Sequence, residues 1–203
     1  MMTTTVTVHA AGMAELMERY YDRPKFLEYC KACPNYGNRW SCPPYDFDPE
    51  GILRQYEVVN VIGVQVLYDE ATRASMDTKE KVDAYTLASL DAVKQPMLPA
   101  LLDAERSLPG SRAFISGNCK VCATCAREMG MPCLHPDQMR YSLESFGFDV
   151  GALTQDVLGI TIVWDPGHLP AYYTLVAALA AGAPAEEQVR GIIEQGLSGI
   201  SQP

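Results

Sequence analysis

Glu57-Val-Val-Asn-Val-Ile-Gly-Val-Gln-Val-Leu-Tyr68 decides the fold class. Valine and isoleucine branch at Cβ, which restricts them in helices and suits them to a pleated surface. The run lacks the strict apolar–polar alternation of a strand with one wet face, so it reads as a strand covered on both sides. Such a strand needs a layer above and a layer below, and helical stretches flank it in the chain. The expectation is a mixed α/β (α+β) fold. A central sheet with flanking helices would form a single domain over residues 1–203, with cysteine-rich loops inserted at 30–49 and 117–136.

The remaining elements follow from periodicity and punctuation. Gly12 to Tyr29 is helical in pattern and interrupted at Arg23-Pro24, where Asp22 caps a new turn that Pro24 opens. Asp77 to Leu108 is helical, with Val82, Leu87, Leu90, Val93, Met97 and Leu101 as its core stripe. Asp77 and Glu80 resemble a capping box there, and Pro96 and Pro99 are expected to kink or split the helix. Arg112 to Ser116 and Val157 to Val163 read as strands, and Tyr172 to Ala180 as either strand or helix. Pro136 is expected to open a helix carrying Met139, Leu143 and Phe146 and stopped by Gly147. Pro184 is expected to open a closing helix through Glu194, with Val189, Ile192 and Ile193 inward. The stretch around His9 reads as a mobile start.

The seven cysteines fall into two groups. Cys119, Cys122, Cys125 and Cys133 read C-x2-C-x2-C-x7-C. Three thiols at that spacing let a short loop aim at one compact inorganic core, whereas zinc sites more often use C-x2-C pairs set apart by a longer loop. These four are therefore the expected ligands of a 4Fe–4S cluster, with zinc as the alternative metal. The fourth position departs from ferredoxin spacing, because Pro136 follows Cys133 by three residues instead of adjoining it. If Pro136 opens a helix, free backbone N–H groups face the sulfurs and stabilise negative charge.

Cys30, Cys33 and Cys42 form the other group, in the order C-x2-C-x8-C-P-P. Three readings stand open: a second cluster with three thiolates and an open iron, exchanged ligation in which Cys42 completes Cys119, Cys122 and Cys125, or a zinc or structural thiol site. Tyr36, Arg39 and Trp40 lie in the same loop, where Trp40 reads as an anchor to the core. Of the histidines, His135 reads as a helix-start residue, and His9 and His168 carry no catalytic role.

Composition narrows the function classes. The chain has 203 residues, 48% apolar, and a formal net charge of −9. That balance opposes phosphate-backbone binding, so no nucleic-acid partner is expected. The first residues lack a secretory leader's basic and apolar regions, and the longest apolar stretch, Ala171 to Ala183, falls short of the ~20 residues a bilayer requires. A cytoplasmic protein with reduced thiols and no membrane contact is the expectation, and clustered thiols there hold metal more often than they bridge. No dinucleotide fingerprint, phosphate-binding loop or serine nucleophile elbow is present.

Two motifs together resemble a known family. They are C-x2-C-x2-Tyr-Gly-x3-Ser-Cys-Pro-Pro-Tyr over Cys30 to Tyr45 and Cys-x2-Cys-x2-Cys-x7-Cys-x2-Pro over Cys119 to Pro136. Ser142-Leu-Glu-Ser-Phe-Gly-Phe-Asp-Val150 adds to the likeness. The family comprises uncharacterised predicted metal-binding proteins of bacteria and archaea, many of them anaerobes, and the resemblance runs from Tyr21 to Ala180. It implies metal binding of the iron–sulfur kind and no established reaction. The leading expectation is a redox accessory protein that passes single electrons to or from a partner protein. An enzyme with an open-iron site at Cys30, Cys33 and Cys42, and a zinc-stabilised interaction module, are the alternatives.

Overall fold

The computed structural model describes residues 1–164 and 167–200. Asp165, Pro166 and 201–203, part of the expected 1–203 span, lie outside the described residues. The valine-rich run forms strand β2 (Val58–Tyr68), an interior strand of a four-stranded antiparallel sheet. The sheet also contains β1 (Met2–Gly12), β3 (Arg112–Phe114) and β4 (Tyr172–Ala181), in the order β1-β2-β4-β3. β1 pairs with β2 from Met2↔Tyr68 to Gly12↔Val58, and β4 pairs with its other edge from Val58↔Ala181 to Leu67↔Tyr172.

Both faces of β2 are covered, which explains its near-continuous apolar sequence. Ile62, Val64 and Val66 point to one side, where they meet Val93, Met97 and Leu101 of α5 (Lys79–Ser107) and Val189, Ile193 and Leu197 of α8 (Glu186–Leu197). Val59 and Val61 point to the other, as the period of two requires. There they join Met13, Leu16 and Tyr20 of α1 (Met13–Tyr20), Phe146 of α6 (Leu143–Phe146) and Leu153 of α7 (Val150–Leu158). Short helices α3 (Pro49–Leu53) and α4 (Glu70–Ser75) complete the layers, with α2 (Arg23–Lys31) following α1.

Several expectations are corrected. The stretch around His9 is no mobile start but strand β1; threonines and valines favour a pleated surface, and Met2 and Val8 are buried. Val157 to Val163 is not a strand. Asp149 caps α7 by accepting from Ala152 N–H, and Gly159 ends it in the left-handed region at φ 68°. Pro136 opens no helix: α6 starts only after Ser142, whose side chain accepts from Ser145 N–H in a capping box. α5 is not split at Pro96 and Pro99, because its packed face offsets the bonds the prolines remove. Thr78, not Asp77, caps it. Leu87 leaves the stripe and is 62% exposed; Ser89 takes the inward position and shares a 2.6 Å hydrogen bond with Tyr68 Oη. The ambiguous stretch at Tyr172 is strand β4, Asp22 caps α2 as expected, and α8 starts at Glu186.

Candidate metal centre

The two cysteine loops emerge from different elements and meet at the same place. Cys30 sits in the last turn of α2, and Cys33 and Cys42 follow in a chain of turns closed by Cys33 N–H to Cys30 O at 3.0 Å and Cys42 N–H to Arg39 O at 3.0 Å. Strand β3 delivers the second loop to Cys119. The direction of α2 is set by close packing on the α6–α7 junction. Asp22 N–H donates to Gly147 O at 2.9 Å and Asp149 N–H to Tyr20 O at 2.8 Å. Gly147 has φ 115°, and a Cβ there would stand 2.7 Å from Arg23 Cα, so only glycine permits this approach.

Three contacts fasten the loops together. Arg127 donates to Arg39 O at 2.8 Å, Cys42 O at 2.7 Å and Pro44 O at 2.7 Å, with its guanidinium 4.9 Å from the Trp40 ring centroid. Buried Ser41 accepts from Cys119 N–H at 2.9 Å, and its Oγ lies 3.9 Å from Cys42 Sγ. Trp40 Nε1 donates to Met131 O at 3.0 Å, so Trp40 ties loop to loop instead of anchoring the first loop to the core. Tyr45 and Phe47 do the anchoring: their rings stack at 4.8 Å and pack on Tyr141 and Phe146.

Within this assembly the thiols separate four and three. Cys119, Cys122, Cys125 and Cys133 line one cavity of about 20 Å³ together with Trp40, Ser41 and His135. Cys30, Cys33 and Cys42 line another of about 180 Å³ with Tyr36, Asn118 and Glu144. Cys42 thus lines the cavity of Cys30 and Cys33, while its neighbour Ser41 lines that of the other four. The first cavity is close to the size of a water molecule, while the second has room for a small molecule. A further cavity of about 780 Å³ beside α5 is lined by no cysteine; of its cations Arg140, Lys120 and Arg106 pair with Glu105, Asp91 and Asp103, and Lys94 lines it as well.

The electrostatics follow the same grouping. Burial pushes the Cys119 thiol up against the pull of Val121 N–H, and Cys133, Cys122 and Cys125 add to the rise. Burial likewise pushes Cys42 up to about 11, opposed by its Ser41 hydrogen bond and reinforced by Cys33, Cys30 and Glu144. Cys30 is raised by burial, Glu144 and Cys33. Glu144 keeps partial exposure as a residue, but protein encloses its carboxyl end, and burial raises that carboxyl above the ordinary range.

All seven cysteines are free thiols. Among the described residues no three His, Cys, Asp or Glu side chains close to the spacing of a single metal ion. A cluster attaches its thiolates to different irons, so its ligands stand wider apart, and soft thiol donors grouped in one cavity suit it. Cys133 lacks the helix start expected after it; within the four-thiol group a backbone donor, Val121 N–H, reaches Cys119 instead. His135 lines the four-thiol cavity, and His9 pairs with Glu186 at 3.3 Å. His168 lies at a bend, and Pro166 of its turn falls outside the described residues. Arg127, Ser41 and Glu144 are important here and were not legible in the sequence, except that Ser41 lies inside the Ser-Cys-Pro-Pro-Tyr motif.

A mixed α/β scaffold that presents free thiols on two clamped loops defines a metal-binding class of protein. The chain belongs to the family described as "Predicted metal-binding protein (DUF2284)", whose model matches residues 18–178 and so contains all seven cysteines. No curated protein and no solved structure matches the chain. Among the described residues, no helix is long and apolar enough to cross a membrane.

Proposed function

We propose that the protein is an iron–sulfur redox protein in which Cys119, Cys122, Cys125 and Cys133 hold a 4Fe–4S cluster. The observation that carries this reading is the gathering of these four thiols, and no other cysteine, around one cavity. When bound, the cluster supplies reversible one-electron transfer. The chain's own residues line the cavity with Trp40 and fix the position of Cys119 through Ser41. They also lower the cost of negative charge on sulfur through Val121 N–H. The partner in this reading is another redox protein in the cytoplasm. The net charge of −9 argues against nucleic acid in that role.

A specific observation favours a second reading as well. The cavity of about 180 Å³ at Cys30, Cys33 and Cys42 leaves space beside the thiols, as an enzyme with an open metal position requires. Anaerobic purification followed by iron, sulfide and EPR analysis tests the leading reading. A brown protein with stoichiometric iron and sulfide is expected; a colourless protein carrying stoichiometric zinc contradicts it and makes the metal a structural support for an interaction module.

A further inference from the structure

We infer that Glu144 is the fourth protein ligand of the metal centre at Cys30, Cys33 and Cys42, a carboxylate that a small molecule entering the cavity displaces. The inference rests on the reading that these three thiols hold metal. Its starting point is placement: Glu144 lies on the first turn of α6 and lines the same cavity as the three thiols. Its charge is felt at both Cys30 and Cys42. The bonds that hold α2 against the α6–α7 junction also bring the Cys30 turn to Glu144.

Charge balance supplies the second argument. Three thiols and a carboxyl, all of which become negative on ionisation, converge on one cavity. Lys94 is the cation that acts on Glu144, and the two do not close to an ion pair. An enclosed carboxylate without such a partner is costly, and more so beside thiolates. A metal centre supplies the missing positive charge. Gly117 N–H donates to Glu144 Oε1 at 3.0 Å and orients the group, as outer-shell partners do for ligating carboxylates. The Ser142 side chain and the Glu144 main chain also donate to it, so of the carboxylate's roughly four acceptor sites about one is left for the cavity.

The chemistry of the donors then distinguishes their roles. Soft thiolates hold iron firmly, while a hard carboxylate suits it less and exchanges more readily. With Glu144 as the exchangeable group, the cavity of about 180 Å³ receives the displacing ligand next to the metal. That ligand belongs to the class of small molecules with an oxygen, nitrogen or sulfur donor. A structural carboxyl held only by Gly117, Ser142 and its own main chain would respond to none of this.

The test compares wild-type protein with Glu144→Gln and Glu144→Cys, all purified anaerobically as the full chain. In each, iron per chain is measured and EPR-monitored redox titration follows both centres. Two clusters bring roughly eight irons per chain. Glu144→Gln, which still accepts from Gly117 N–H, is expected to lose roughly one iron, with a changed second signal and an unchanged first. Glu144→Cys is expected to keep the full iron count and shift the second centre's midpoint potential. Cyanide, used as the displacing probe, is expected to alter the second signal clearly in wild type and only weakly in Glu144→Cys. Two wild-type signals that both ignore Glu144→Gln overturn the inference alone. One centre with roughly four irons in wild type removes the three-thiol reading and the inference with it.

Discussion

Replacing Arg127 by alanine should separate the two cysteine loops. Its guanidinium donates to the carbonyls of Arg39, Cys42 and Pro44, at 2.8, 2.7 and 2.7 Å, across a sequence gap of more than eighty residues. Hydrogen bonds from a charged donor contribute about 1.5–3 kcal/mol when shielded. The bonds to Arg39 and Cys42 are part-buried and take the lower end of that range; the exposed bond to Pro44 adds about 0.5 kcal/mol. The cation–π contact with Trp40 adds a similar amount, on the order of 0.5 kcal/mol. The expected loss is about 4 kcal/mol, a large share of the 5–15 kcal/mol that holds a typical domain folded. Urea unfolding of the metal-free, reduced protein measures it. With a slope of about 2 kcal/mol/M the midpoint should fall by about 2 M. Arg127→Lys keeps the charge but not the three-way fork, and should recover only a minor part of the loss. A midpoint shift below about 0.5 M for Arg127→Ala would refute the clamp.

Other consequences are open to simple measurement. Gly147→Ala forces a side chain into φ 115° and against Arg23 Cα, and should destabilise the protein by about 3 kcal/mol in thermal or urea unfolding; an unchanged midpoint would show that α2 does not depend on this approach. In metal-free protein, burial that pushes Cys42 from 9.0 to about 11 lowers its thiolate fraction roughly a hundredfold at neutral pH. Timed iodoacetamide alkylation read by mass spectrometry should therefore modify exposed Cys33 first and Cys42 last, and equal rates would contradict that placement. Glu144 gives the metal-free protein a pH dependence of definite sign. Its folded-state carboxyl is raised, so between the ordinary Glu value and the raised one the unfolded chain binds fewer protons, and stability falls as pH rises. Glu144→Gln should flatten that slope, and a parallel slope in both proteins would assign it to another group.

The parts of this fold that were legible in the sequence are those dictated by local pattern. β2 announced itself because both its faces are buried, and α2 because Asp22 and Pro24 are strong local signals. β1 was missed because threonine at its outward positions lowers hydrophobicity without lowering strand preference. Leu87 was placed inward because serine at the true inward position, Ser89, is invisible to a hydrophobic pattern. The irregular run after Pro136 was read as helix because the cap belongs to Ser142, six residues later in the chain. At the candidate site, spacing alone separated the cysteines into four and three. The residues that join the groups were hidden because their partners are remote: Arg127 reaches Cys42, Ser41 reaches Cys119, and Glu144 reaches Gly117. Such pairs exist only once the loops have met.

The most direct measurement is anomalous diffraction at the iron and zinc edges from crystals of anaerobically purified protein. Iron density enclosed by Cys119, Cys122, Cys125 and Cys133, with Cys42 facing away from it toward Cys30 and Cys33, is the expected result. Zinc in place of iron, or iron joined to Cys42 while Cys133 stands free, would contradict it.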